Sequence, residues 1–152
     1  TSDVTFDDII STSIKAPSNI LVKTSATDAN HHGDVVFFGG TLGMDAGKIY
    51  HYNSSGNWEL SNATDNTKST GLLAVALGAS SDSNGMLLKG MVTLDHDPGS
   101  VGEKLFLRAS DGRALNSAPG STGNVTRVIG YCLDASDGQI YFNPSNDHII
   151  HA

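Results

Sequence analysis

Three groups of residues in this sequence have side chains that could do chemistry. Asp95-His96-Asp97 is the densest acidic cluster, and a carboxylate beside a histidine is raw material for acid–base catalysis. His31-His32 with Asp34, and His148 with His151, offer nitrogen and oxygen ligands for a metal. Trp58, Tyr50 and Tyr52, like Tyr131 and Tyr141, are amphipathic rings of the kind that stack on sugars, with Asn- and Asp-rich loops to bond hydroxyls.

Each group also has a plainer reading. Asp97-Pro98-Gly99 is a strong turn signal, in which Asp accepts backbone N–H bonds, and a glycosidase would need two carboxylates on facing surfaces. No Gly-x-Ser-x-Gly elbow follows a strand. His51, between Tyr50 and Tyr52, is expected to be solvated or at an interface. Adjacent histidines on a regular strand point to opposite faces, so His31 and His32 could not share one ion there. In a loop they could, and one histidine per chain around a symmetry axis would give a three-nitrogen site. Asp82-Ser83-Asn84-Gly85 echoes a calcium loop without its terminal Glu and is expected to be a hairpin turn. Gly43–Lys48 precedes a strand instead of a helix, so it is no phosphate loop. The sequons at Asn53, Asn62 and Asn124 fit a polar composition by chance. Cys132, the single cysteine, cannot form an intramolecular disulfide and is expected to pack as a small apolar residue. No catalytic, metal or cofactor-binding residue is therefore assigned, no cofactor is expected, and the candidate glycan contacts are Trp58, Tyr50 and Tyr52.

The elements that must hold these residues are strands. Asp outnumbers Glu 14 to 2, and Ser, Thr, Asn and Gly supply 58 of the 152 residues, a balance that favours turns over helices. Short apolar bursts separated by Gly, Asn and Asp turns predict strands at Asn19–Thr24, Asp34–Phe38, Lys48–Tyr52, Asn57–Leu60 and Gly71–Leu77. The same pattern continues at Met86–Leu94, Lys104–Arg108, Thr126–Leu133, Gln139–Asn143 and His148–His151. At most one helical turn is expected, near Thr5–Ile10. The net charge of -7 leaves no basic stripe for nucleic acid. No apolar run approaches the roughly 18 residues of a membrane span, and no signal-peptide pattern opens the chain, so membrane insertion is not expected.

An internal repeat organises the chain. Lys48, Ser54, Gly56, Ser61, Thr70, Leu77, Ala79 and Ser80 recur as Lys104, Ser110, Gly112, Ser117, Thr126, Leu133, Ala135 and Ser136, each 56 positions on (104 − 48 = 136 − 80 = 56). Apolar positions follow the same offset, Ile49 with Leu105 and Leu73 with Ile129, and Met86-Leu87-Leu88 matches Gln139-Ile140-Tyr141 at 53 (139 − 86 = 53). The expected fold is all-β, a sandwich or barrel over residues 34–152 made of two pseudo-repeats, about 35–88 and 91–143. Leu73, Val75, Leu77, Ile129, Tyr131 and Leu133 are expected in its core, on strands covered on both faces. The polar loops Ser61–Ser69 and Asn116–Asn124 are expected to lie off that core. Thr1–Gly33 is outside the repeat and is expected to be an arm, or the end of a stalk, reaching to a neighbouring subunit. Its Ile9, Ile10, Ile14, Ile20, Leu21 and Val22 would otherwise stay in water.

The run Gly47-Lys48-Ile49-Tyr50, Gly71-Leu72-Leu73-Ala74-Val75-Ala76-Leu77-Gly78 and Met86-Leu87-Leu88-Lys89-Gly90 carries a resemblance. It is continued by Gly102-Glu103-Lys104-Leu105-Phe106-Leu107, Val128-Ile129-Gly130-Tyr131 and Gly138-Gln139-Ile140-Tyr141-Phe142-Asn143-Pro144. This pattern of strands and turns resembles the β domains of tailed-phage virion surface proteins, notably C-terminal domains of tail-fibre-like proteins of marine phages, and also capsid decoration proteins. The resemblance implies a non-enzymatic structural protein at the surface of the virion. Its partners would be its own copies in a homo-oligomer, as a trimer, and other virion proteins. The alternative is a carbohydrate-binding receptor-recognition (adhesin) domain whose partner is a host surface glycan.

Overall fold

Apolar bursts too short for a stable helix, each closed by a turn residue, pair as antiparallel strands. A computed structural model describes residues 21–152; the helical turn expected at Thr5–Ile10 and most of the arm lie outside the described residues. Among the described residues the strands are β1 (His31–Val36), β2 (Ile49–Tyr52), β3 (Trp58–Leu60), β4 (Leu73–Ala76) and β5 (Met86–Thr93). They continue with β6 (Lys104–Leu107), β7 (Ala114–Leu115), β8 (Val125–Thr126), β9 (Val128–Asp134), β10 (Gln139–Phe142) and β11 (Ile149–Ile150). The only helical element described is a 3-10 turn at Asn66–Lys68, capped by the Asp65 side chain on the Thr67 N–H.

The all-β class is as expected, and the sheet is a curled half-barrel, with β8 and β11 forming a small second sheet. Its strand order is β3-β2-β4-β5-β10-β9-β6-β7, with β1 also on β5. β1 runs along β5 from Val92 to Met86 and so takes one edge of it. The other edge is shared: β4 pairs at Met86 and Leu87, and β10 pairs from Gly90 to Thr93. The sheet therefore forks, with a first wing of β4, β2 and β3 and a second of β10, β9, β6 and β7. No strand pairs with Leu88 or Lys89 on the forked edge.

The main core fills the space between the wings. Ile49, Leu73, Val75 and Leu87 meet Leu105, Leu107, Ile129, Ile140 and Phe142 there. The β6–β7 turn draws the wings together, since Ile49 N–H donates to the Gly112 carbonyl (2.7 Å) and Gly112 N–H donates to that of Ser61 (3.0 Å). Gly112 has φ 66°, and a Cβ there would lie 2.7 Å from the Ile49 carbonyl oxygen, so only glycine closes this contact. The loop Ser61–Ser69 is not off the core as expected. Ala63 is buried, and its N–H and carbonyl bond Arg108 and Val125.

A second cluster covers the outer face of the first wing. Val36, Phe38 and Met44 lie over Tyr50, Trp58, Ala74, Ala76 and Met86. That cover is why β4 is buried at all four positions. β9 has no such cover among the described residues, which corrects Tyr131 and Leu133 as expected core residues; Leu77, one residue past β4, is a third correction, only partly buried against the main core. Tyr131 is 45% exposed, and Leu77 and Leu133 are only half-buried, while Leu73, Val75 and Ile129 are buried as expected.

The offset of 56 takes β2 to β6, β3 to β7 and β4 to β9, and these stand at mirrored places in the sheet order. Residue pairings do not follow it one for one: Ile49 faces Val75, whereas Leu105 faces Gly130 and not Tyr131. β1 starts at His31 instead of Asp34, because β5 is long enough to pair that far, so the arm expected at Thr1–Gly33 ends inside the sheet. Residues 21–24 form no strand. Thr24 is buried with its hydroxyl 2.8 Å from that of Thr93, and Ala29 N–H donates to the Thr93 carbonyl, so this part of the arm lies on its own chain.

Candidate functional site

The aromatic candidates sit on β2 and β3. Trp58 is 3% exposed, with its indole N–H on the Phe38 carbonyl (2.8 Å). Tyr50 is buried, and its hydroxyl accepts from the Asp45 N–H. Neither offers a free ring face for a sugar. Tyr52 is half-buried, edge-on to Phe38, and keeps part of its ring at the surface. Beside it is a depression of about 470 Å³ lined by His51, Asn53, Ser54, Ser55, Glu59 and Thr67.

His51 is buried there, not solvated, and burial pushes its pKa below the usual histidine range despite the Glu59 carboxylate. Its Nε2 lies 3.4 Å from Glu59 Oε2 without a hydrogen bond and has no other partner. Lys68 bonds the other Glu59 oxygen and holds that carboxyl below its ordinary pKa. The ring nitrogen is thus enclosed beneath the polar depression, and the groups that line its open side are those of Asn53, Ser54, Ser55, Glu59 and Thr67. Glu59 and Lys68 escaped notice in the sequence because nine residues and a loop separate them.

The Asp95-His96-Asp97 cluster is structural in its contacts. His96 Nδ1 donates to Asp95 (2.7 Å), and Nε2 accepts the Ala114 N–H (3.0 Å). A histidine base would need Nε2 free for the proton it removes. Here both nitrogens are occupied, and the ring holds β7 to the chain before the Pro98 turn.

His31 and His32 lie in regular β1, facing opposite sides opposite Val92 and Met91. His31 Nδ1 is 2.8 Å from the Ala29 carbonyl, and His151 Nε2 is 2.9 Å from the Thr126 hydroxyl. Among the described residues no group of three or more His, Cys, Asp or Glu is placed to hold a metal ion. Cys132 is buried, which raises its thiol pKa. No described helix is long and apolar enough to cross a membrane.

A residue that sequence reasoning passed over lies in the fork. Arg127, between β8 and β9, is 4% exposed. Its Nε donates to the Ser145 carbonyl (2.7 Å), and its Nη1 donates to those of Ser69 (2.8 Å) and Gly71 (2.6 Å). It forms no ion pair with a described carboxylate, and burial alone lowers its pKa. The one available signal was a lone cation inside an apolar strand pattern.

No family model, curated protein or solved structure matches the chain. Surfaces and side chains must speak for it. Across the outer face of the second wing, His32, Met91, Tyr141, Tyr131 and Lys104 stand directly opposite one another on successive strands. Phe106 pairs with Leu115 on the same wing. Met91, Tyr141 and Phe106 are half-buried and Leu115 is exposed.

Proposed function

We propose that the chain is a non-enzymatic structural module of a bacteriophage virion surface, a tail-fibre tip or capsid-decoration element, that works as a homo-oligomer. The observation that carries this reading is the uncovered outer face of the second wing. The first wing buries its outer face beneath Val36, Phe38 and Met44, whereas among the described residues Met91, Tyr141, Tyr131 and Leu115 have no equivalent cover. Aromatic and apolar side chains in a row across a sheet favour a protein partner. A second copy supplies the same chemistry under closed symmetry. The number three comes from the resemblance to phage fibre and decoration proteins.

Light scattering on the purified chain at micromolar concentration tests the assembly. A trimer is expected, and Tyr131→Glu, at a half-exposed position, is expected to yield a folded monomer. A wild-type monomer would overturn the assembly. Co-migration of the chain with phage particles through a density gradient tests the virion assignment, which fails if the chain stays at the top.

A second reading, a carbohydrate-binding receptor-recognition domain, is favoured by the depression at Tyr52, where a half-buried ring lies beside Asn53, Ser54, Ser55, Glu59 and Thr67. Saturable glycan binding, lost in Tyr52→Ala, is its expected signature. Binding that survives that substitution removes this site.

A further inference from the structure

The fork of the sheet contains a cleft of about 370 Å³, whose polar lining is Thr70, Lys89, Arg127, Asn143 and Asn146. It lies where β5 has left β4 and not yet met β10, so the backbone of Leu88 and Lys89 is unladdered on that side. The volume is in the range of small-ligand sites, and forks between strands are places where side chains of separate elements converge.

The charge of this cleft runs against that of the chain. The protein carries a net -7, yet among the described residues the cleft is lined by two cations and no carboxylate. Arg127 spends Nε and Nη1 on three carbonyls, which fixes the plane of its guanidinium across the fork. Its Nη2 makes no hydrogen bond to a described residue, and it is not among the fully buried atoms that lack a partner. Lys89 is exposed and forms no ion pair among the described residues; Asp34, its cross-strand neighbour on β1, is not within ion-pair distance. A buried arginine without a carboxylate leaves a positive potential that an anion would relieve.

The remaining lining narrows the ligand. With no acid in the described lining, no carboxylate there receives an ammonium group, so amino acids and polyamines fit poorly. Thr70, Asn143 and Asn146 supply donors and acceptors for hydroxyls, and Leu72 and Pro144 supply apolar surface for a ring. We propose that the fork is a binding site for a carboxylated sugar, a hexuronate unit, with its carboxylate between Arg127 and Lys89 and its hydroxyls on the asparagines. This site is separate from the depression at Tyr52, and it does not rest on either reading of function.

Titration of the isotope-labelled full chain with digalacturonate, followed by amide resonances, tests it. Saturable shifts are expected at Thr70, Gly71, Lys89, Asn143 and Asn146, weakening as salt is added. The methyl ester of the same disaccharide is expected not to bind. Lys89→Ala is expected to weaken binding by about tenfold, the worth of one charge-assisted hydrogen bond. Asn146→Asp, which places a carboxylate in the cleft, is expected to abolish it. Both substitutions are at exposed positions, so the fold is kept where Arg127→Ala could lose it. Absence of saturable shifts overturns the proposal. So does equal binding of the ester, equal binding of acetate or phosphate, or unchanged affinity in both variants.

Discussion

Phe142 of β10 lies directly across from Gly90 of β5, and Gly130 of β9 flanks it on the other side. The largest fully buried side chain thus sits between two residues that have none. Its ring fills the core space that neighbouring side chains would otherwise occupy. Gly90 is also pressed against β1, where a Cβ would lie 2.2 Å from the His32 carbonyl oxygen.

Gly90→Ala is therefore expected to destabilise the fold by about 1–3 kcal/mol, the range for forcing extra volume into packed backbone. Gly120→Ala is the control, because a Cβ there meets nothing within 4 Å. Urea unfolding of the two variants should separate them, and equal midpoints would refute the packing argument.

Arg127 joins the two sides of the fork through Ser69 and Gly71 on one side and Ser145 on the other. Arg127→Met keeps the stem and removes the donors, leaving those carbonyls short of partners at a cost of about 2–4 kcal/mol. Hydrogen exchange should quicken around residues 69–73 and 143–146 in that variant. Protection unchanged from wild type would show that the arginine does not hold the fork.

Stability should fall with acid in two stages. The folded pKa of His51 is depressed by burial below 6.5, so under that pH the unfolded chain takes up the proton first and folding loses ground. The same sign holds for Glu59, held below 4.5 by Lys68, and its contribution is lost on further acidification. His51→Phe should flatten the dependence of the urea midpoint on pH between about 7 and 5. A slope as steep as wild type would place its origin elsewhere.

Burial also ranks the leucines. Leu105 is fully buried between the wings, and Leu105→Ala should cost about 2–5 kcal/mol. Leu133 is half-buried on the uncovered side of β9, so Leu133→Ala should cost clearly less. Chemical denaturation gives the order directly, and a reversed order would mean that the outer face is covered after all.

Strand identity was legible because it is a local property. Turn residues after each apolar burst, and the Asp-over-Glu balance, sufficed for an all-β chain, and β2, β5, β6 and β10 fall within a residue or two of their expected limits. The weak pair β7 was not legible, since two residues carry no periodicity and form a strand only because β6 is there to bond them. Apolar runs at Leu73–Ala76 and Val128–Asp134 look alike in sequence, yet among the described residues only the first is covered on both faces. Periodicity reports which sides of a strand are apolar and is silent on what lies against them. That cover comes from residues 36–44, between 29 and 40 positions from β4 in the chain (73 − 44 = 29, 76 − 36 = 40). Likewise a lone arginine in an apolar run says nothing of three carbonyls gathered from two distant loops. Local chemistry determined the strands and turns of this protein; the fork, the uncovered face and the cation at its cleft were decided by long-range packing, which local spacing cannot encode.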